Sequence, residues 1–251
     1  MYRHRFQNDI LAEFLPPARK IKKTKLIILC DGMPSIPRKQ PLAHFLASKG
    51  YWVIYPRYRG SWESGGTFLD ICPEKDIDEI IDALPKGLTD IAFGEKFKLK
   101  PDEIYVIGGS FGGCTALICS LNPKIKKVIA NCPVVDWAIL DDEQGKETSN
   151  KNYAAYIREA FGSAYRLPDK NWKKLQSEKF FNPAKHIDEI DSNKVMMFHA
   201  KDDPYIPWKV VYNFADKTGV KLNLLSKGSH LSTVDTVEKY WDKIKKFFES
   251  K

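Results

Sequence analysis

A serine surrounded by glycines restricts the fold more than any other feature of the chain. The segment VIGGSFGGCTALI (106–118) places Ser110 in a GxSxG pattern, directly after a β-branched run and directly before a helix-like one. A strand that turns sharply into a helix forces an unfavourable backbone conformation, and adjacent glycines remove Cβ clashes. This context favours Ser110 as an exposed nucleophile over a serine that only caps a helix.

Short apolar runs alternate with longer amphipathic ones, which predicts an α/β fold: a mostly parallel central sheet flanked by helices. About seven strands are predicted, at 9–15, 24–30, 51–55, 103–108, 126–131, 194–200 and 220–226. Helices are predicted over 42–48, 74–84, 111–121, 207–218 and 234–248. The segment 9–15 is expected at the edge of the sheet, and one domain over 1–251 is expected at this length.

One interval breaks this alternation. From Ala138 to Asp191 there is no convincing strand pattern, only charged and aromatic sequence of helical character. A structureless excursion of this length is uncommon in a compact domain. The interval 138–191 is therefore predicted to be a small helical cap inserted between two strands.

Composition narrows the class of protein. The net charge of +8 is spread over short lysine clusters without a zinc, RNP or helix-turn-helix pattern, so no nucleic-acid partner is expected. There is no apolar run of membrane-spanning length and no signal-like N-terminus, and the five cysteines lack CxxC spacing. A cytoplasmic protein without a membrane partner is expected, and the pattern does not fix its oligomeric state.

Two further groups of charged residues, an acidic run and two arginines, could be taken for binding sites. Asp76, Asp78, Glu79 and Asp82 lie on a predicted helix, where residues two apart do not converge. A solvated acidic face is expected, with no metal and no cofactor. Arg57 and Arg59 could bind a substrate carboxylate, although one of them is more simply expected to tie its own loop to a nearby carboxylate.

A serine nucleophile needs a histidine base that a carboxylate orients. Five histidines are available: His4 in an N-terminal tail expected to be mobile, His44, His186, His199 and His230. His230 alone lies in a polar, glycine-containing loop after the last predicted strand, where it can reach over the carboxyl edge of the sheet. It is the predicted base, and His199 is expected to be structural.

The acid is expected in the loop after the preceding strand, within HAKDDPYIPW. Asp202 and Asp203 both lie there, and spacing alone does not separate adjacent residues. The oxyanion of a tetrahedral intermediate needs two N–H donors. The backbone N–H of Phe111 and that of Met33, in the loop LCDGMPS, are the predicted donors.

Several segments together resemble the prolyl oligopeptidase-like group of the α/β-hydrolase superfamily, over about residues 24–248. They are YPRYRGSWESGGTF, GGSFGG, CPVVDW, FNPAKHI and HAKDDPYIPW. The last is similar to the group's HGxxDxxVP segment, a resemblance that implies Asp203 as the acid. The group's HGGP segment appears here as Asp31-Gly32-Met33-Pro34. About 23 residues precede the first core strand, too few for the β-propeller of the large oligopeptidases.

The resemblance implies a serine hydrolase without a cofactor that acts on a small carboxylic ester or a short peptide. Trp137, Tyr205 and Trp208 are candidate pocket residues beside the catalytic loops, with Phe111, although core packing is an equally good interpretation of such aromatics. The alternative function is a catalytically silent scaffold that binds a ligand or partner through the cap. The Ser, Asp, His order argues against that alternative.

Overall fold

A computed structural model describes residues 1–7, 9–19, 21–138, 151–175 and 180–250. The strands are β1 (Tyr2–Phe6), β2 (Ile10–Leu15), β3 (Lys25–Cys30), β4 (Trp52–Pro56), β5 (Leu88–Thr89), β6 (Lys96–Phe97), β7 (Glu103–Gly109), β8 (Ile125–Asn131), β9 (Val195–Ala200) and β10 (Lys221–Leu225). Eight form one sheet in the order β1-β2-β4-β3-β7-β8-β9-β10, and β5 and β6 form a separate hairpin.

The sheet is parallel from β4 to β10, whereas β1 and β2 are antiparallel additions at one side. The apolar β3 and β7 lie at its centre and are almost wholly buried, as expected of parallel strands covered on both faces. The α/β-hydrolase fold class, predicted with about seven strands, is confirmed.

The expectation that 9–15 forms the edge strand was wrong. β2 lies second in the sheet, between β1 and β4, and β1 forms the edge. The sequence YRHRF of β1 is charged and largely half-buried, as is common for edge strands that must not pair with other chains. His4 accordingly lies in a strand and not in a mobile tail, and its Nδ1 accepts from Thr89 N at 3.0 Å.

Helices cover the sheet on both faces. They are α1 (Gln40–Ser48), α2 (Glu74–Ala83), α3 (Phe111–Cys119), α4 (Lys151–Phe161), α5 (Asp169–Leu175), α6 (Trp208–Thr218), α7 (Thr233–Lys239) and α8 (Trp241–Glu249), with 3-10 turns at Leu84–Lys86, Gly162–Ala164, Pro183–His186 and Ser192–Lys194. The helix predicted over 234–248 is divided at Tyr240, whose backbone leaves the helical region and whose ring stacks on Phe198. In the described ranges no helix is long and apolar enough to cross a bilayer.

The acidic side of α2 is not the solvated face that the sequence suggested. Asp76 is 2% exposed, because Arg59 reaches it at 2.5 Å and also binds Asp9 at 2.7 Å and Glu79 at 2.5 Å. Arg57 pairs with Glu13 at 2.7 Å. Both arginines therefore hold their loop to neighbouring carboxylates, the simpler of the two interpretations.

The described part of the predicted cap, 151–175 and 180–191, contains α4, α5 and two short 3-10 turns, and its residues 165–171 contact the loop after β4. Asn171 Nδ2 donates to Phe68 O at 2.9 Å, Arg166 Nε donates to Gly66 O at 3.1 Å, and Ser61 and Tyr165 form an isolated bridge. Residues 139–150 and 176–179 of the predicted insertion lie outside the described residues. The boundaries of the insertion and the single-domain organisation stay predictions.

Candidate active site

Ser110 occupies the turn between β7 and α3 with φ of 57° and ψ of −120°. A non-glycine residue rarely adopts this backbone conformation, which is strained. Its N–H donates to Asn131 O at 2.8 Å, and its side chain makes no capping bond to α3. The helix-cap interpretation of Ser110 therefore finds no support in the geometry.

The glycines of the turn are required by close approaches of other atoms. A Cβ on Gly108 would lie 1.9 Å from Gly112 O, and a Cβ on Gly112 would lie 2.4 Å from Cys30 O. On Gly109 it would meet Thr233 Oγ1 at 2.1 Å. Such distances are far inside van der Waals contact. At Gly108 and Gly112 the obstacle is backbone, which leaves no room for a Cβ, whereas at Gly109 it is a side-chain atom.

His230 and Asp203 lie in the loops after β10 and β9 and are joined by a hydrogen bond. His230 Nδ1 is 2.8 Å from Asp203 Oδ2, while Asp203 Oδ1 accepts from Tyr205 N at 2.9 Å and Ile206 N at 3.1 Å. Asp202 instead is exposed and accepts from Ser229 N. Of the two adjacent aspartates, Asp203 is the one that contacts His230.

The electrostatics of Asp203 favour its charged form. Burial by itself raises the pKa of Asp203, but the hydrogen bond and charge of His230 and the two backbone donors outweigh burial, so the pKa lies below its ordinary value of 3.8. His199 lies behind this pair, wholly buried, with Nε2 bonded to Ile206 O at 3.0 Å. Burial lowers the pKa of His199, which fits the structural role expected of it.

The two predicted oxyanion donors border the same space as Ser110. Phe111 is the first residue of α3, and Met33 follows β3. Both line the cavity, and in the described part of the chain neither backbone N–H donates a hydrogen bond. Both groups are thus available to a bound oxygen.

Ser110 and His230 line one cavity of about 760 Å³. Its described walls include Trp137, Val134, Tyr153, Tyr156 and Tyr205. The Tyr205 ring contacts the His230 ring edge-on, with centroids 5.3 Å apart. Among described residues no hydrogen bond joins Ser110 Oγ to His230.

The profile of the prolyl oligopeptidase family matches residues 39–241, which is most of the chain. The chain belongs to the prolyl oligopeptidase family. Together with the esterase and peptidase folds described next, this makes the protein a serine hydrolase. A search of curated proteins found no match.

Solved structures share the fold at low sequence identity. The esterase Pf2001 of Pyrococcus furiosus is 18% identical with a TM-score of 0.66, over 98% of this chain and 88% of that one. Est1E of Butyrivibrio proteoclasticus, solved with ferulic acid, is 16% identical with a TM-score of 0.67, over 97% and 98%. The acylaminoacyl peptidase of Pyrococcus horikoshii is 17% identical with a TM-score of 0.65, over 98% of this chain but 40% of that one.

Of the three residues predicted for the substrate pocket of this prolyl oligopeptidase family member, Trp137 and Tyr205 line the cavity. Their contact with a substrate stays a prediction. Trp208 does not belong to its described lining; its ring packs beside Tyr212 and under Lys201 Nζ. Trp208 follows Pro207 at the start of α6, and it lies away from the cavity although it is close to Asp203 in sequence.

Sequence reasoning missed several residues that line the cavity, among them Tyr153, Tyr156, Lys39 and Thr233. The two tyrosines lie one helical turn apart on α4, a spacing that could have shown that they share a face. The signal for Lys39 was Asp31, which stands where the family's HGGP segment has histidine. A carboxylate buried at this position requires a cation nearby.

In the described chain, one group of side chains could supply metal ligands: Cys132, Asp203 and His230, with ligand atoms within 4.8 Å of one another. Two of these atoms already share the hydrogen bond between Asp203 and His230. Burial, and next the Asp203 carboxylate, raise the pKa of the Cys132 thiol, which opposes the thiolate that metal binding requires. The arrangement is better suited to proton transfer.

Proposed function

We propose that this protein hydrolyses small carboxylic esters through an acyl-enzyme formed on Ser110, with His230 as base and Asp203 as the acid that orients it. One observation carries the proposal: a serine on a strained turn shares a cavity with a histidine whose Nδ1 is bonded to a buried carboxylate. A nucleophile, a base and an orienting group in this relation are what acyl transfer requires.

The reaction follows from these positions. Ser110 Oγ attacks the carbonyl carbon of the ester while His230 Nε2 takes the hydroxyl proton, and the tetrahedral intermediate collapses as that proton passes to the departing alkoxide. Water then attacks the acyl-enzyme and loses a proton to His230, and this proton passes to Ser110 Oγ as the carboxylic acid is released. Asp203, which His230 Nδ1 contacts, stabilises the imidazolium that forms at each step.

The negative oxygen of each intermediate is assigned to the N–H groups of Phe111 and Met33. Both border the cavity without an acceptor in the described structure. The first also lies at the N-terminus of α3, where the helix dipole favours negative charge. Removing one such donor typically costs about 3 kcal/mol of transition-state stabilisation.

The described cavity wall favours an uncharged, partly aromatic substrate. Its side chains are largely aromatic or apolar, and its one acidic member, Asp31, is already paired with Lys39. No described lining carboxylate is left to hold the amino group of a free peptide. An alkoxide also needs weaker protonation than an amine to depart. Hydrolysis of short peptides is the second candidate, because the family match is to prolyl oligopeptidase.

A fluorophosphonate probe tests the nucleophile. We expect it to label the native protein and Ser35→Ala, a variant of another serine that lines the cavity, but not Ser110→Ala. Equal labelling of the native protein and Ser110→Ala would refute the assignment. A folded protein that reacts with no probe and no acyl substrate would favour a silent binding scaffold.

A substrate panel tests the leaving group. Short-chain p-nitrophenyl esters are compared with aminoacyl and prolyl arylamides at equal enzyme concentration, with Ser110→Ala as the blank. We expect turnover of the esters to dominate. Turnover of the arylamides alone would replace the ester proposal with the peptidase one.

A further inference from the structure

A buried ion pair lies beneath the loop that carries Met33. Asp31 directly follows β3, and Lys39 directly precedes α1; their side chains are only 10% and 15% exposed, and Lys39 Nζ donates to Asp31 Oδ1. Tyr55 OH, from β4, donates to the other carboxylate oxygen, and Gly32 N donates to Oδ1 at 3.1 Å. The carboxylate thus connects three segments around one loop.

The carboxylate of Asp31 is unfavourably placed for the proposed chemistry. Asp31 is two residues before the proposed donor Met33, and both residues line the cavity in which Ser110 lies. Negative charge develops at this place in the transition state, and like charges repel strongly where water is partly excluded. An uncompensated Asp31 would oppose the oxyanion that the Met33 N–H stabilises.

Lys39 removes this conflict. Its ammonium group neutralises Asp31 directly, and it lies over the Tyr55 ring, 5.9 Å from the centroid. Because Asp31 also accepts from Gly32 N, the pair holds the backbone one residue before Met33. Lys39 therefore sets the charge of the carboxylate, while the bond from Gly32 N ties that carboxylate to the loop.

We propose that Lys39 is a positioning residue for ester hydrolysis, which acts through Asp31 to keep the Met33 loop neutral. The inference rests on the proposed function, since it needs an oxyanion at Met33. It differs from a substrate-binding role, because an ammonium group that already contacts Asp31 is not free to hold an anionic substrate.

Three variants separate charge from shape: Lys39→Met, Lys39→Arg, and the double variant Lys39→Met with Asp31→Asn. For a p-nitrophenyl ester, we expect Lys39→Met to lower kcat about tenfold or more with KM within about threefold, because only the transition state carries the new charge. We expect Lys39→Arg and the double variant to stay within about threefold of the native kcat, since neither leaves a buried charge alone.

The rate of fluorophosphonate labelling gives a second readout, because the phosphoryl oxygen of the probe gains negative charge in the transition state of serine attack; we expect the same order of variants. A double variant as slow as Lys39→Met, a native rate in Lys39→Met, or a change confined to KM would each overturn the proposal. Thermal unfolding is recorded for all variants. If Lys39→Met does not fold, the folded double variant decides: native kcat supports the charge role, and loss of activity refutes it.

If the native protein is neither labelled nor active, the proposed function itself is refuted. In contrast, an active native protein with an equally active Lys39→Met refutes only the role of Lys39. The two failures are therefore distinguishable in one set of assays.

Discussion

The two segments that carry the proposed oxyanion donors are held in different ways. The turn 108–113 is shaped at Gly108, Gly112 and Gly113 by backbone atoms that lie too close to leave room for a Cβ. The loop 31–34 is instead held by side chains from distant segments, Lys39 and Tyr55, which meet at Asp31. The turn depends on the lack of side chains at its glycines, and the loop depends on the neutralisation of Asp31. Substitutions that add a Cβ should therefore destabilise the turn, and substitutions that remove a charge should disturb the loop.

The largest expected effect is at the turn. Gly108→Ala places a Cβ 1.9 Å from Gly112 O, a backbone atom that cannot move aside. We expect a loss of about 3 kcal/mol or more in the free energy of unfolding, or no folded protein. Urea or thermal unfolding measures this loss.

Gly32→Ala is the matched control in the charge-held loop. Its Cβ would lie 3.6 Å from Gly109 O and from Ser110 Cβ, which is ordinary contact, so we expect a change in stability within about 1 kcal/mol. Comparable losses in Gly32→Ala and Gly108→Ala would contradict the proposed difference between the two segments.

The next effect concerns charge at Asp203. Because the pKa of Asp203 lies below 3.8 in the folded protein, its charged form contributes stability that is present above the unfolded pKa and lost as the pH falls through the folded pKa. We expect Asp203→Asn to unfold about 2 kcal/mol more easily at pH 7.

The pH dependence of the stability difference between the native protein and Asp203→Asn tests this explanation. The gap between native protein and Asp203→Asn should be constant at neutral pH and shrink only as the pH falls below 3.8. Gly108→Ala, if it folds, should show a loss independent of pH over the same range. A gap for Asp203→Asn that does not change with pH would mean that shape, not charge, is what Asp203 contributes.

A smaller effect is expected at Gly109, where the obstacle is a side chain. Its Cβ would meet Thr233 Oγ1 at 2.1 Å but Thr233 Cβ at 3.4 Å. We expect Gly109→Ala to lose about 1 to 2 kcal/mol of stability, and Thr233→Ala in the same chain to restore most of it. Without such restoration, the constraint at Gly109 would lie in the backbone, as it does at Gly108.

Features that depend on local sequence could be predicted, whereas features that depend on contacts between distant residues could not. All seven predicted strands exist, and six of them belong to the parallel part of the sheet, where apolar runs are continuous and easily recognised. Positions after the last two strands of the sheet pointed to His230 and to the pair Asp202 and Asp203, and the family resemblance then implied Asp203. The structure brings Asp203 and His230 into contact. The catalytic roles of these residues stay predictions until the labelling experiments are done.

The rest depended on contacts between distant residues. The edge strand β1 has a charged sequence that gives no apolar alternation. The burial of Asp76 requires Arg59, 17 residues away in sequence, and the burial of Asp31 requires Lys39 and Tyr55. A periodic pattern reports which face of an element is apolar, but it does not report which charged residue finds a partner inside.

The smallest effect is expected at Tyr55, which tests whether charge or hydrogen-bond geometry dominates in the Met33 loop. Tyr55 is wholly buried, and burial together with Asp31 raises the pKa of its hydroxyl, so the group remains a donor to that carboxylate. Tyr55→Phe removes this donor but leaves Lys39 to neutralise Asp31. We expect about 1 kcal/mol less stability and a kcat much closer to native than that of Lys39→Met.

Tyr105→Phe is the control, because its buried hydroxyl donates to Glu103 at 2.6 Å without lining the cavity. It should lose similar stability and keep the native kcat. If Tyr55→Phe lowers kcat as much as Lys39→Met does, the position of the Asp31 carboxylate, and not its charge, controls the oxyanion loop.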